Sequence, residues 1–320
     1  MSETGRRIAI VGAGLAGLAC ASRLSGAGIS VALFDKARGP GGRMSTRRID
    51  TPLGQASFDH GAQYFTARGA SFRAQVDQWA MDGVVAPWPA AGPRVWVGVP
   101  GMNAPVRALA ADLSVTWDCP IEALERDGPA WRLRSPQGPG DLFDAVVVAV
   151  PAEQAAALLE GHDSLLASTA ATSSTMPCWT VMAAFDRRLD IAVDVLRDQG
   201  ALGWAARNGS KPGRGPIETW VLQGSPDWSR DHLEDPPEAI GAALLDALGV
   251  AAGGPVPAPI ALQAHRWRFA RSSGGADGAL WSPASALGCC GDWLIGPRVE
   301  CAWDSGIALA EQLLADRSPG

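Results

Sequence analysis

Lysine is almost missing from this 320-residue chain: of 27 basic side chains only Lys36 and Lys211 are lysines, and the rest are arginines. Chemistry that needs a primary amine therefore has two positions to draw on. Net charge is −6 and no long run of Lys and Arg occurs, which argues against a surface built to bind nucleic acid. The six cysteines, Cys20, Cys119, Cys178, Cys289, Cys290 and Cys301, include no Cys-x-x-Cys spacing and cannot staple a chain this long. Free thiols predict a cytoplasmic address, and vicinal Cys289-Cys290 reads as the end of a buried strand. His60, His162, His232 and His265 lie far apart with no His-x-x-x-His pair, so no metal site is predicted, and the absence of Gly-x-Ser-x-Gly removes the serine-hydrolase reading. No run of 18 apolar residues occurs, so no membrane partner is expected. Arg6-Arg7 followed by IAIVGAGLAGLACA has the outline of an export signal, but Gly12, Gly14 and Gly17 interrupt the apolar helix such a signal needs.

What remains is ordinary globular material, 47% hydrophobic and 19% charged, in a length that allows about two domains. Ile8–Val11 is a short apolar run. A glycine turn follows, then helical apolar spacing over Leu15–Ser25, then a second strand ending in Asp35. Residues 115–134 read as antiparallel strands around Pro120 and Asp127-Gly128. Asp144–Val150 reads as a buried strand closed by Pro151 ahead of an Ala-rich helix. From about 166 to 284 short strands, tryptophans and long loops predict a second domain, after which Gly288–Leu294 and Trp303–Leu314 return to the first sheet. The fold class is α/β: a Rossmann-like nucleotide-binding domain from 1–70, 101–165 and 285–320, with a discontinuous α+β substrate domain from 71–100 and 166–284.

Gly12-x-Gly14-x-x-Gly17 between a strand and a helix is the arrangement that receives a pyrophosphate. Gly12 makes the tight turn, Gly14 lets the phosphate approach the backbone, and Gly17 lets helix and strand pack closely. Asp35 lies close to the ~20-residue spacing of a carboxylate that accepts from adenosine ribose hydroxyls. Arg38-Gly39-Pro40-Gly41-Gly42-Arg43 adds flexible backbone and a guanidinium that can close over the same pyrophosphate. Near the other end, Gly291-Asp292 offers an acceptor for a ribityl hydroxyl. A helix predicted to start near Asp304, with Ser305, Gly306 and Ile307 in its first turn, offers free amides.

Together these segments resemble the two-motif FAD-binding pattern of the monoamine-oxidase and p-hydroxybenzoate-hydroxylase fold group. FDHGAQYFTAR (58–68), VGVPGMNAPVRALA (97–110), NGSKPGR (208–214), WVLQGSPDWS (220–229), HRWRFA (265–270) and GDWLIGPRVECAWDSG (291–306) resemble the renalase family, its bacterial members above all. The resemblance implies a p-hydroxybenzoate-hydroxylase-type FAD domain and a flavoprotein oxidising 1,2- and 1,6-dihydro isomers of NAD(P)H to NAD(P)+, with O2 as electron acceptor and H2O2 as product. It further implies FAD contacts from Ala13, Gly14, Leu15, Ala16 and Gly17, from Asp35, Lys36, Arg43 and Ile121, from His60, Gly61, Ala62 and Gln63, and from Asp292. The 60–64 segment would lie beside the isoalloxazine ring, which makes Gln63 and Tyr64, the sole tyrosine, flavin-side candidates.

The residues themselves agree with an oxidase plan. A single dinucleotide fingerprint leaves a pyridine nucleotide to arrive as substrate, and hydride transfer strictly requires no acid or base. The loop Arg207–Arg214, with Lys211 and Arg214, together with Arg266 and Arg268, supplies cations suited to phosphate or carboxylate. Trp88, Trp96, Trp204, Trp220, Trp267 and Trp281 can stack on a planar ring or simply fill the core. His265 is read either as a partner of a nicotinamide carboxamide or as a residue ordering its own strand. Amine oxidases of this fold group hold a lysine through water at the flavin N5. Here only Lys211 is free to serve, and its glycine-proline loop predicts a substrate phosphate or a loop cap instead. FAD is expected to be non-covalent, the alternative anchors being Cys178 and Cys301. Two other functions stay open, an amine or polyene oxidase of the same fold and a non-catalytic flavin-binding module.

Overall fold

The computed structural model describes residues 6–316. Arg7–Val11 forms the interior strand of a six-stranded sheet. The order is Leu280–Ser282, Leu287–Cys289, Ala145–Val148, Arg7–Val11, Ser30–Phe34, Val115–Thr116. All neighbours are parallel except the first pair. Parallel strands need both faces covered, and the alternation of side chains shows how this one is covered. Ile8 and Ile10 pack with helices Leu15–Gly26 and Val299–Ala315, while Ala9 and Val11 face Trp131, Leu133 and Phe143 on the other side.

Residues 115–134 divide differently from the sequence expectation. Val115–Thr116 joins the edge of the parallel sheet, and the antiparallel hairpin is Ala123–Asp127 with Ala130–Ser135. The C-terminal helix begins at Val299, five residues before Asp304. The strand expected to end at Cys289-Cys290 does so, with both thiols fully buried.

The second layer is a five-stranded antiparallel sheet ordered Val195–Gln199, Leu202–Arg207, Glu218–Gly224, Thr175–Phe185, Ala261–Ser272. Helix Pro237–Ala252 buries Ile240, Leu244 and Leu248, at helical spacing, on one face of it. The hairpin Thr46–Thr51 with Gly54–Asp59 packs Phe58 and Ala56 against Met182, Ala184 and Val221 on the other face. That hairpin follows the glycine-rich 38–43 segment directly, so it ties the nucleotide sheet to the antiparallel one. A large crevice opens between them along the strand ends described next. None of the helices among the described residues is long and apolar enough to cross a membrane.

Candidate functional site

The parallel strands that end at Val11, Phe34, Val148 and Cys289 point their carboxyl ends at one cavity of about 2020 Å³. Pockets for one small ligand run to about 1,000 Å³, so this volume accommodates a dinucleotide and a second molecule. It lies where strand order reverses, the position at which open α/β sheets bind ligands.

Each fingerprint glycine has a separate cause. Gly12 has φ +104°, and a Cβ there would sit 2.6 Å from the Ala149 carbonyl oxygen. A Cβ on Gly17 would sit 2.0 Å from the Gly12 carbonyl oxygen. Gly14 has open space where a Cβ would go, lines the cavity, and caps helix Leu15–Gly26 without a side-chain acceptor. The helix's first amides and its positive end therefore meet the cavity unscreened, which fits a pyrophosphate. Asp35 Oδ2 accepts from Ala13 N (2.6 Å) and Oδ1 from Ala37 N (2.7 Å), and each oxygen keeps a lone pair for a ribose hydroxyl. Lys36, on the same wall, donates to Gln154 Oε1 at 3.0 Å. Gly42 and Ile121 also line the cavity.

On the opposite side Arg43 and Asp292, assigned separately in the sequence, form a two-pronged ion pair, and Ser272 Oγ also donates to Asp292. The predicted contacts at Ser305, Gly306 and Ile307 are corrected. Because the helix starts at Val299, the residues it brings to the cavity are Arg298, Val299 and Ala302. Ser305 is buried and its hydroxyl accepts from Gly291 N (2.9 Å), a Cβ on Gly306 would lie 2.2 Å from the Ala16 carbonyl oxygen, and Ile307 packs into the core. Likewise Ala13 and Gly17 shape the turn from behind. Gly12, Gly14, Leu15 and Ala16 line the cavity.

The far end is aromatic. His60, Gly61, Ala62, Gln63 and Tyr64 form the wall, held by Ala62 N donating to Arg43 O (2.8 Å), Gln223 Nε2 to Gly61 O (2.8 Å) and Trp267 Nε1 to His60 O (2.8 Å). His60 and His265 rings lie 5.0 Å apart, both against Trp267, and Tyr64 leans on Trp204 at 5.3 Å. Burial, then the neighbouring His265 and Arg47, push His60 down to about 3. Burial and Arg47 push His265 down to about 4. Both rings are neutral near pH 7. Two buried polar atoms on this wall have no protein partner, His60 Nδ1 and Trp204 Nε1.

Several substrate-side expectations fail. Lys211 and Arg214 are buried and do not line the cavity, because both are taken up by Asp59, a residue the sequence reading passed over. Trp96 pairs in a short strand with Phe65 and packs on the core. Trp88 and Trp220 are core residues, and Trp281 also packs outside the cavity. Trp204, Trp267, His265 and Arg268 do reach the wall, although the Arg268 guanidinium is bound by Glu234. Arg47, Arg48, Arg68, Arg107 and Arg271 were not foreseen. In all, nine arginines and Lys36 line the cavity against four carboxylates, Asp35, Asp118, Glu122 and Asp292. The strand alternation of Thr46–Thr51 was the one signal available for Arg47.

A dinucleotide crevice roofed by an antiparallel sheet defines a flavin-dependent oxidoreductase of the Rossmann-like kind. The chain belongs to the flavin-containing amine oxidoreductase family, whose pattern matches residues 90–314, while residues 10–79 match an NAD(P)-binding Rossmann-like domain. Among solved structures it is similar to a candidate protoporphyrinogen oxidase from Exiguobacterium sp. 255-15 (13% identity, TM-score 0.77, covering 99% of this chain and 100% of that one). It is also similar to cyclohexylamine oxidase from Brevibacterium oxydans IH-35A (15%, 0.69, 97% and 100%) and to a CLA-producing fatty acid isomerase from P. acnes (12%, 0.71, 100% and 100%). At these identities the likeness is one of fold. A 49-residue stretch is 51% identical to zeta-carotene-forming phytoene desaturase of Myxococcus xanthus, and it spans 15% of this chain and 10% of that relative's length. Family membership implies a flavin, and the glycine turn, Asp35 and the uncapped helix end fit its dinucleotide form.

Proposed function

We propose that the protein is a non-covalent FAD oxidase that converts 1,2- and 1,6-dihydro isomers of NAD(P)H to NAD(P)+, with O2 taking the electrons as H2O2. The observation that carries this reading is the cavity's excess of cations in a chain of net charge −6. A pyrophosphate-bearing substrate is attracted by such a wall, and an alkylammonium is repelled.

Bound flavin supplies the hydride acceptor. The chain's own part is orientation. Trp204, Trp267 and Tyr64 offer flat faces for a nicotinamide ring, and neutral His265 on the same wall is the candidate partner of its carboxamide. With both histidines uncharged near pH 7 and only weakly basic, the wall suits a hydride step, which requires no acid or base. The thiols support non-covalent binding. Cys301 is fully buried away from the cavity, and the Cys178 thiol on its wall is pushed by burial up to about 11, leaving little thiolate. The partners in this reading are a dinucleotide and O2.

Anaerobic mixing of the yellow protein with borohydride-generated NADH isomers tests it. Rapid loss of the visible flavin band with the isomers, and none with alkylamines, is expected. Bleaching by amines alone would assign the amine-oxidase chemistry that the family name carries, and bleaching by neither would leave a flavin-binding module. Acid precipitation is expected to leave a colourless pellet.

A further inference from the structure

Behind the 60–64 wall lies a cluster of ionised side chains that the proposed chemistry does not use. Asp59 is fully buried and receives Lys211 Nζ at 3.1 Å and the Arg214 guanidinium on one oxygen, with Thr46 Oγ1 (2.8 Å) and Met102 N (2.9 Å) on the other. Two cations share one carboxylate. Among the described residues no second acid touches them; Arg214 Nη1 donates to the carbonyls of Gly98 and Pro212, and its buried Nε has no partner. The cluster therefore holds one excess positive charge out of water, an arrangement that lowers the energy of a negative charge placed nearby.

Lys211 also reaches the wall. Its Nζ donates to Gln63 Oε1 at 3.1 Å, which fixes the Gln63 amide so that Nε2 donates back to the Asp59 and Gly61 carbonyls. Trp88, whose ring centre is 5.1 Å from Nζ, closes the remaining side. Gln63 lines the cavity, and Arg43, hydrogen-bonded to the same turn, links it to the Asp292 end of the dinucleotide crevice. Asp35, Gly14 and this wall line one cavity, so a dinucleotide held by Asp35 and Gly14 would have the wall within its second half's compartment.

We propose that Lys211 is a positioning residue: the buried excess charge it holds behind the Gln63 wall stabilises the anion formed when the bound flavin is reduced. The step balances as two electrons and one proton added to the neutral ring, leaving one negative charge. The inference rests on the flavin reading alone and not on the identity of the substrate. Burial and Arg214 lower the Lys211 ammonium, Asp59 raises it, and the outcome is about 8, within reach of titration. The charged groups facing it are Asp59 and Arg214, with His60 neutral on the adjoining turn.

Because the chain has two lysines, isotope labelling of lysine gives two side-chain signals, and Lys36→Arg assigns them. Titrating the holoenzyme before and after anaerobic reduction by dithionite reads the coupling directly, since whatever favours the anion must be favoured by it in return. Lys211 is expected to titrate near 8 when oxidised and to rise by about one pH unit on reduction. An unchanged Lys211 midpoint, or two lysines titrating like free side chains, would overturn the proposal. In Lys211→Met holoenzyme the flavin–sulfite adduct is expected to weaken about tenfold or more. In Lys211→Gln, which keeps the hydrogen bond, a wild-type sulfite affinity would overturn the charge assignment.

Discussion

Gly14 and Gly17 stand three residues apart and answer to different demands. A methyl group at Gly17 runs into the Gly12 carbonyl, so Gly17→Ala must push the helix off the sheet, a change that costs about 3 kcal/mol or more. At Gly14 the methyl meets no protein atom and projects into space kept for a ligand. Gly14→Ala is expected to fold with a melting temperature close to wild type while FAD affinity falls about tenfold or more. Thermal melts of the apo forms and flavin titrations separate the two. These roles were legible because the fingerprint is local: strand, turn and helix lie within twenty residues. Lys211 and Arg214 were not legible. Their loop has the composition of an exposed turn, while the acid that buries them lies 152 and 155 residues away.

At the scale of elements, the decisive contact is the turn after strand Gly54–Asp59 stacked on strand Ala261–Ser272. It places two imidazoles 5.0 Å apart with Arg47 beside them. Burial and that arginine hold the folded-state values of His60 and His265 at about 3 and 4, below the ordinary 6.5. As pH falls below 6.5 the unfolded chain binds protons first, so this stability is present above 6.5 and is lost progressively toward pH 3. For His60 the loss is on the order of a few kcal/mol. Melting temperature measured from pH 7 to 4 is expected to drop, and His60→Gln is expected to flatten the slope. One element the sequence misplaced was the C-terminal helix. Asp304-Ser305 looks like a cap, but Ser305 spends its hydroxyl on Gly291, and the true first turn is fixed when Glu300 accepts from Arg68 N and Gly69 N, at 2.7 and 2.6 Å. Both partners are remote in sequence, so no local rule could find them.

For the whole molecule the sign of charge is reversed between outside and inside, with an acidic chain enclosing an arginine-lined cavity. That contrast was invisible in composition, because the arginines come from segments spread from 38 to 298 and only folding gathers them. It makes a demand on binding. A dianionic pyrophosphate ligand, in the proposed reading, would be held by the field of the wall, and salt shortens the reach of that field from about 14 Å at 0.05 M to about 4 Å at 0.5 M. Affinity of the holoenzyme for NAD+ is therefore expected to fall about tenfold across that range. Arg47→Gln removes a cation that lines the cavity and whose side chain hydrogen-bonds, among the described residues, to Gln263 and His265, so it is expected to weaken NAD+ and reduce the salt slope together. An uncharged nicotinamide analogue is expected to bind the two forms alike. Titration by flavin absorbance at several salt concentrations reads all three, and a salt-independent NAD+ affinity would remove the electrostatic basis for a dinucleotide substrate.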